Sequence, residues 1–242
     1  MSEWFEEIKR QFILSFISDN RWRYLWNGLG VTLRITFFAL LIGLVIGVIV
    51  AIVRATHDKI IKSMRRNLGR FALKLINAIC KIYLTVIRGT PVVVQLFIFY
   101  LVILLNVKDA VLIGIIAFGV NSGAYIAEIF RSGIMSVDNG QFEAGRSLGF
   151  NFVQSMRYII IPQAFKNVLP TLANEFIVLL KETAVIGYIA CQDLTKAGNI
   201  ILGRTYNAAM PLAAVALIYL ILVIFFTWLV EKLERRLRSS ER

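Results

Sequence analysis

The chain has 242 residues, of which 58% are hydrophobic and 17% charged, with 27 Lys and Arg against 15 Asp and Glu. A soluble globular domain carries about 25% charged residues, so water is not the only solvent of this chain. Two cysteines and a single histidine offer no metal-ligand spacing.

Residues 1–27, "MSEWFEEIKRQFILSFISDNRWRYLWN", form an amphipathic N-terminal segment in which Trp4, Phe5, Ile8, Phe12 and Phe16 fall near helical spacing. Trp22, Tyr24 and Trp26 then suit an interfacial aromatic belt. Five apolar runs follow, each about the 20 residues needed to span a bilayer: Ile35–Val53, Leu84–Leu105, Ala110–Phe130, Val168–Ala190 and Leu212–Val230. The predicted fold class is therefore all-α, a polytopic membrane protein with about five transmembrane helices. No short apolar region with a small-residue cleavage site is present, so no cleaved signal peptide is expected.

The charge distribution sets an expected orientation. Arg54, Lys59, Lys62, Arg65, Arg66, Arg70 and Lys74 follow the first run. Arg131, Arg146, Arg157 and Lys166 follow the third, and Lys232, Arg235, Arg236, Arg238 and Arg242 the fifth. The other connectors carry only Lys108 on one, and Lys196 and Arg204 on the other. Lys/Arg-rich connectors stay cytoplasmic, so the N-terminus is expected outside and the C-terminus in the cytoplasm. The net charge of +12 then reads as a topology signal, with no nucleic acid as partner. Cys80 and Cys191 fall on opposite faces of this map, which excludes a disulfide between them, and His57 lies among solvated basic residues.

In the second run, "IRGTPVVVQ" places Arg88, Gly89 and Pro91 in the cytoplasmic third, where proline removes a backbone donor and kinks the helix. "GNIILGRT", Gly198 to Thr205, has the glycine spacing of a phosphate-binding loop, but it lacks the lysine and a preceding strand. A short amphipathic outer helix, with Ile200, Ile201 and Leu202 on the membrane, is expected there instead.

Between the third and fourth runs lies "GQFEAGRSLGFNFVQSMRYIIIPQA". Asp138 and Gln141 approximate a capping box opening a helix from about Asn139 to Leu148, with Phe142, Gly145 and Gly149 on one face as a protruding aromatic beside two positions without bulk. A second helix is expected from Phe152 to about Ile161, interrupted or ended by Pro162. A projecting aromatic on a glycine-flanked helix is a shape for docking into a groove on another protein.

This segment resembles the EAA loop of membrane permease subunits of bacterial ABC importers: Glu143, Ala144, Gly149, Ile159 and Pro162 match at the family's spacing. Gly145 stands where the family has alanine, and Ile161 where it has leucine. "VIRGTPVVVQLFIFY", "SGAYIAEIFRSGI", "LPTLANEFIVLLKETA" and "LERRL" are similar to the polar amino acid uptake branch, and the likeness runs from Gly28 to Leu237. It implies a permease domain over 28–237 with a cytoplasmic coupling loop at 132–167, and a basic tail at 238–242. It implies a bacterial inner-membrane protein whose partners are a cytoplasmic ABC ATPase dimer, a second permease chain and an extracellular or periplasmic solute-binding protein. The ligand would be a polar amino acid, a basic one or glutamine above all. The chain would bind no cofactor and catalyse nothing itself, ATP and magnesium being used by the ATPase. Phe142, Glu143, Ala144, Gly145 and Gly149 are the coupling positions so implied.

Polar residues within membrane spans are costly and tend to be functional. Asn121 and Tyr125, in the third run with Ser122 and Glu128, and Asn174, Glu175, Lys181 and Glu182 in the fourth are candidates for the substrate pathway. Structural hydrogen bonds and ion pairs are the alternative for each. Two other functions compete, but five spans with one broken helix and a lone histidine in a connector do not supply what they need. An ion-coupled secondary transporter or channel would bring inverted repeats and paired broken helices. An intramembrane enzyme would need a nucleophile with its base, or metal ligands, inside a span.

Overall fold

The structure, a computed structural model, describes residues 2–61, 64 and 67–239; Lys62, Arg65, Arg66 and Arg242 of the charge map lie outside them. The described residues are helical almost throughout. Helix α1 (Ser2–Phe12) leads through a π turn and a 3-10 turn into α2 (Trp22–Ile60), the longest at 39 residues. Then come α3 (Leu68–Gly89), α4 (Val92–Ile98), α5 (Ala110–Met135), α6 (Asn139–Ser147), α7 (Phe152–Ser155), α8 (Ile161–Glu182), α9 (Leu194–Thr205) and α10 (Ala209–Ser239). Three stretches, Trp22–Lys59, Ala110–Met135 and Ala209–Arg236, are long and apolar enough to cross a membrane; α3 and α4 add a fourth if that bent pair counts as one span. Helix α8, with Lys166, Glu175, Lys181 and Glu182 along it, is not among them.

The centre of the fold is the crossing of α2 and α5, set by small residues that let the backbones approach closely. A methyl at Gly119 would lie 2.8 Å from Ile42 Cβ, one at Gly43 3.1 Å from the Gly123 nitrogen, and one at Gly123 3.0 Å from Ile46 Cβ. At the start of α2, Phe16 and Leu25 pack with Leu194, Ala197 and Ile201 of α9 and Val215 of α10. At its other end, Ala55 packs with Ile134, Val137, Ile160 and Ala164. The α9 end and the α6 end of the bundle are thus opposite.

Several expectations change here. The second run does not begin a helix at Leu84: α3 starts at Leu68, where the Asn67 side chain accepts from the Arg70 amide at 3.0 Å, so Arg70 and Lys74 belong to a helix and not to a connector. The kink expected at Pro91 is a break of 113° between α3 and α4. Proline pushes the residue before it toward extended backbone, and Thr90 is extended (φ −123°, ψ 149°). Phe16 is buried beyond the end of α1 instead of extending its apolar face. Helix α9 is present, but Ile201 is fully buried against the protein and does not lie on the membrane. The helix is interrupted and not ended before Pro162: a π turn at Met156–Ile160 carries α7 into α8, with the proline at the start of α8.

Candidate functional site

Two groups of residues carry the functional argument, one at the α6 end and one along α5 and α8. Helix α6 begins with Asp138, whose side chain accepts from the Gly140 amide at 2.6 Å. The reciprocal bond from Gln141 expected of a capping box is not made: the Gln141 side chain accepts from Gln163 at 3.2 Å. The box is instead one helix further on, where Asn151 and Gln154 exchange side-chain and backbone bonds, both at 2.9 Å. Helix α6 ends in a Schellman turn: the Phe150 amide donates to the Gly145 carbonyl at 3.0 Å and the Gly149 amide to that of Arg146 at 2.9 Å. Gly149 has φ +79° with open space around it. Its value is this left-handed conformation, which is unfavourable for residues bearing a Cβ.

Phe142 does not protrude. It is half-buried, stacked on Phe152 with ring centroids 6.3 Å apart and 11° between planes, and the Lys59 ammonium lies 4.3 Å from its ring centroid. Gly145 is buried too, for a Cβ there would meet Ser155 Oγ at 2.7 Å. At Phe142 and Gly145 the face expected to dock a partner is therefore packed on the chain's own bundle, while Gly149 is exposed. The exposed side carries Glu143, Ala144, Ser147 and Leu148, and Val153 is exposed on α7. Leu148, 72% exposed, is a large apolar side chain that sequence reasoning missed; Val153, expected on one side of the second helix with Phe152, Met156 and Ile160, is 70% exposed while Ile160 is fully buried.

The polar residues of the apolar helices divide between structural bonds and an open face. Gln95 bridges the α3–α4 break: its Nε2 shares two hydrogens among the Ile87 carbonyl (2.7 Å), the Thr90 carbonyl (3.0 Å) and Thr90 Oγ1 (2.8 Å). Its Oε1 accepts from Asn121 Nδ2 at 2.8 Å, so buried Asn121 ties the break to α5. Tyr125 is half-buried under the Arg88 guanidinium, 5.7 Å from its ring. Glu128 forms a bidentate pair with Arg131, with Arg88 4.0 Å away, which supports a structural role. Glu175 is buried and accepts from Ser122 Oγ at 3.0 Å, joining α8 to α5. Asn174 and Lys181 are exposed on α8 and Glu182 half-exposed; Lys181 is close enough to Glu182 to act on it electrostatically but forms no ion pair with it within 4 Å. His57 is half-buried beside Asp58 at 3.2 Å, not simply solvated. No group of three or more His, Cys, Asp or Glu among the described residues could hold a metal.

Comparison with known proteins adds the following. The family described as "Binding-protein-dependent transport system inner membrane component" matches residues 66–239. A putative glutamine transport system permease protein GlnP of Rickettsia bellii (strain RML369-C) is 41% identical over 161 residues, 65% of this chain and 74% of that one. The arginine transport system permease protein ArtQ of Bacillus subtilis (strain 168) is 39% identical over 166 residues, 67% of this chain and 76% of that one. Among solved structures, a chain from the crystal structure of an amino acid ABC transporter with histidines matches with a TM-score of 0.78 and 40% identity, covering 91% of this chain and 98% of that one. The MetNI methionine ABC transporter in an inward-facing conformation, at 20% identity and a TM-score of 0.73 over 88% of this chain and 95% of that one, shares the fold.

Proposed function

Because the chain belongs to the family of binding-protein-dependent transport system inner membrane components, we infer that it forms, with a second permease chain, the membrane pathway of an ATP-driven importer for a polar amino acid. The carrying observation is the relation to named glutamine and arginine permeases at 34–41% identity, which supports glutamine or a basic amino acid as cargo. The ion-coupled alternative finds no support in these comparisons. In this reading the chain lies in the bacterial inner membrane with α6 in the cytoplasm and α9 outside. Helix α8 would be a fifth span that tolerates its charges by turning them toward a partner chain or an aqueous pathway. ATP is hydrolysed on a separate ATPase that seats the exposed side of α6, Glu143, Ala144 and Leu148, while buried Gly145 and the left-handed turn at Gly149 hold that side in place. A solute-binding protein delivers the amino acid at the opposite end.

The test is transport itself. Vesicles holding the purified complex, loaded with ATP and magnesium and supplied with the binding protein, are expected to accumulate labelled arginine or glutamine after ion gradients are collapsed. Uptake that follows a sodium or proton gradient and ignores ATP overturns the reading.

Orientation needs introduced thiols. Cys80 and Cys191 are both buried, and burial, with Asp193 and Asp109 adding to it, pushes the Cys191 thiol up to about 11. The thiolate is the reactive form, so both native cysteines should stay unlabelled. In intact cells an impermeant maleimide is expected to label Tyr206→Cys, at a position 95% exposed, and to reach Leu148→Cys only after permeabilisation. The opposite pattern inverts the topology.

A further inference from the structure

Helix α6 is held from two directions. On one side are its neighbours in sequence: Phe142 on Phe152, Gly145 against Ser155 and Ile159, and Gln141 with Gln163. All belong to the segment leading into α8, so they move with α6 as one piece. On the other side are the apolar cluster of Ala55, Ile134 and Val137, against which Phe142 packs, and the polar tie made by Lys59, 80 residues before Asn139 and in the last turn of α2. Its ammonium faces the Phe142 ring at 4.3 Å and donates to Asn139 Oδ1 at 3.4 Å. Lys59 is half-buried, and a partly desolvated ammonium binds an aromatic face more strongly than an exposed one. The cation is also favourably placed at the negative end of the α2 dipole.

We propose that Lys59 is a positioning residue for coupling: it clamps α6 to the end of α2 through the Phe142 ring and the Asn139 amide, so that a displacement imposed on α6 is passed to α2. This deepens the permease reading and rests on it. The Phe142 ring, turned away from the ATPase, becomes the receiving surface of the clamp. The docking side of α6 does not involve Lys59, so loss of the clamp leaves the ATPase seated and hydrolysing while import fails to follow.

The test uses the complete transporter in vesicles, with Lys59→Met, Lys59→Arg, Phe142→Leu and the double variant Lys59→Met/Phe142→Leu. ATPase co-purification, ATP hydrolysis and amino-acid uptake are measured on each. Lys59→Met is expected to keep ATPase association and hydrolysis while uptake per ATP falls about tenfold, the scale of a partly desolvated cation–π contact. Lys59→Arg should restore the ratio, because a guanidinium serves the same ring. Phe142→Leu should lose at least as much, since it also removes the stack on Phe152, and adding Lys59→Met to it should cost little more, because the cation–π contact is already gone. Unchanged uptake per ATP in Lys59→Met, or fully additive losses, overturns the clamp. A wild-type chain that captures no ATPase overturns instead the permease reading beneath it, so the two failures are distinguishable.

Discussion

Gly145→Leu is expected to abolish capture of the ATPase while leaving the chain inserted in the membrane. A Cβ at this position lies 2.7 Å from Ser155 Oγ and 3.1 Å from Ile159 Cδ1, so a leucine cannot fit between α6 and the π turn. Overpacking of this kind costs about 1–3 kcal/mol where the surroundings can adjust; a nine-residue helix adjusts by lifting off. The exposed face would then be displaced, and association should drop more than tenfold. Gly145→Ala should be milder, and Ser155→Ala added to it should recover much of the loss, because the hydroxyl is the first atom met. Co-purification of the ATPase, with membrane insertion checked by gel filtration in detergent, decides the matter. Full capture by Gly145→Leu would show that the packing of α6 on its own bundle is irrelevant to docking.

The second large effect is expected on α8, where the two glutamates separate. Glu175→Gln keeps a side chain able to bond Ser122 and should leave the order of preference among amino acids unchanged. Glu182 has no hydrogen bond or ion pair to another described side chain and is half-exposed beside Asn174 and Lys181 on the open face. A hydrogen bond to a charged group contributes about 1.5–3 kcal/mol, so Glu182→Gln should lower arginine or lysine uptake at least tenfold and glutamine uptake much less. Competition among labelled amino acids in the assembled transporter reads this directly. Equal loss for cationic and neutral amino acids would remove charge selection from Glu182, and a changed preference in Glu175→Gln would place the buried carboxylate in the pathway.

The parts of the fold legible in the sequence were those governed by a single local cause. Long apolar runs announced α2, α5 and α10, and Pro91 announced a break. The α6 segment was legible from Asp138, a cap residue; Gly149 was read there only as a position without bulk, and its left-handed turn became visible in the structure. What escaped depended on partners far along the chain. Phe142 looked free to project because nothing near it in sequence reveals Lys59, and Glu175 and Glu182 looked alike because helical spacing cannot say which face meets Ser122. Helix α3 was hidden in a basic connector, since Arg70, Lys74 and Lys81 break up its apolar run in sequence, although on the helix they gather opposite Phe71, Leu75, Ile79 and Ile82. Gln95, which bonds both sides of the break and Asn121, gave no sequence signal beyond being a polar residue among valines.

The length of α2 has a mechanical meaning. At 1.5 Å per residue its 39 residues make a rod about 58 Å long, where the hydrocarbon layer is roughly 30 Å thick. Near its C-terminal end Lys59 meets the Phe142 ring, and near its N-terminal end Gly28 lies against the backbone of Asp193, where a Cβ would come within 2.6 Å of a carbonyl oxygen. A tilt of about 5° about one end of a rigid rod of this length sweeps the other end through about 5 Å. In the proposed permease reading, a small push at the Lys59 end would therefore reach the far end as a displacement the size of a side chain, and the gearing would lie in the span of one helix.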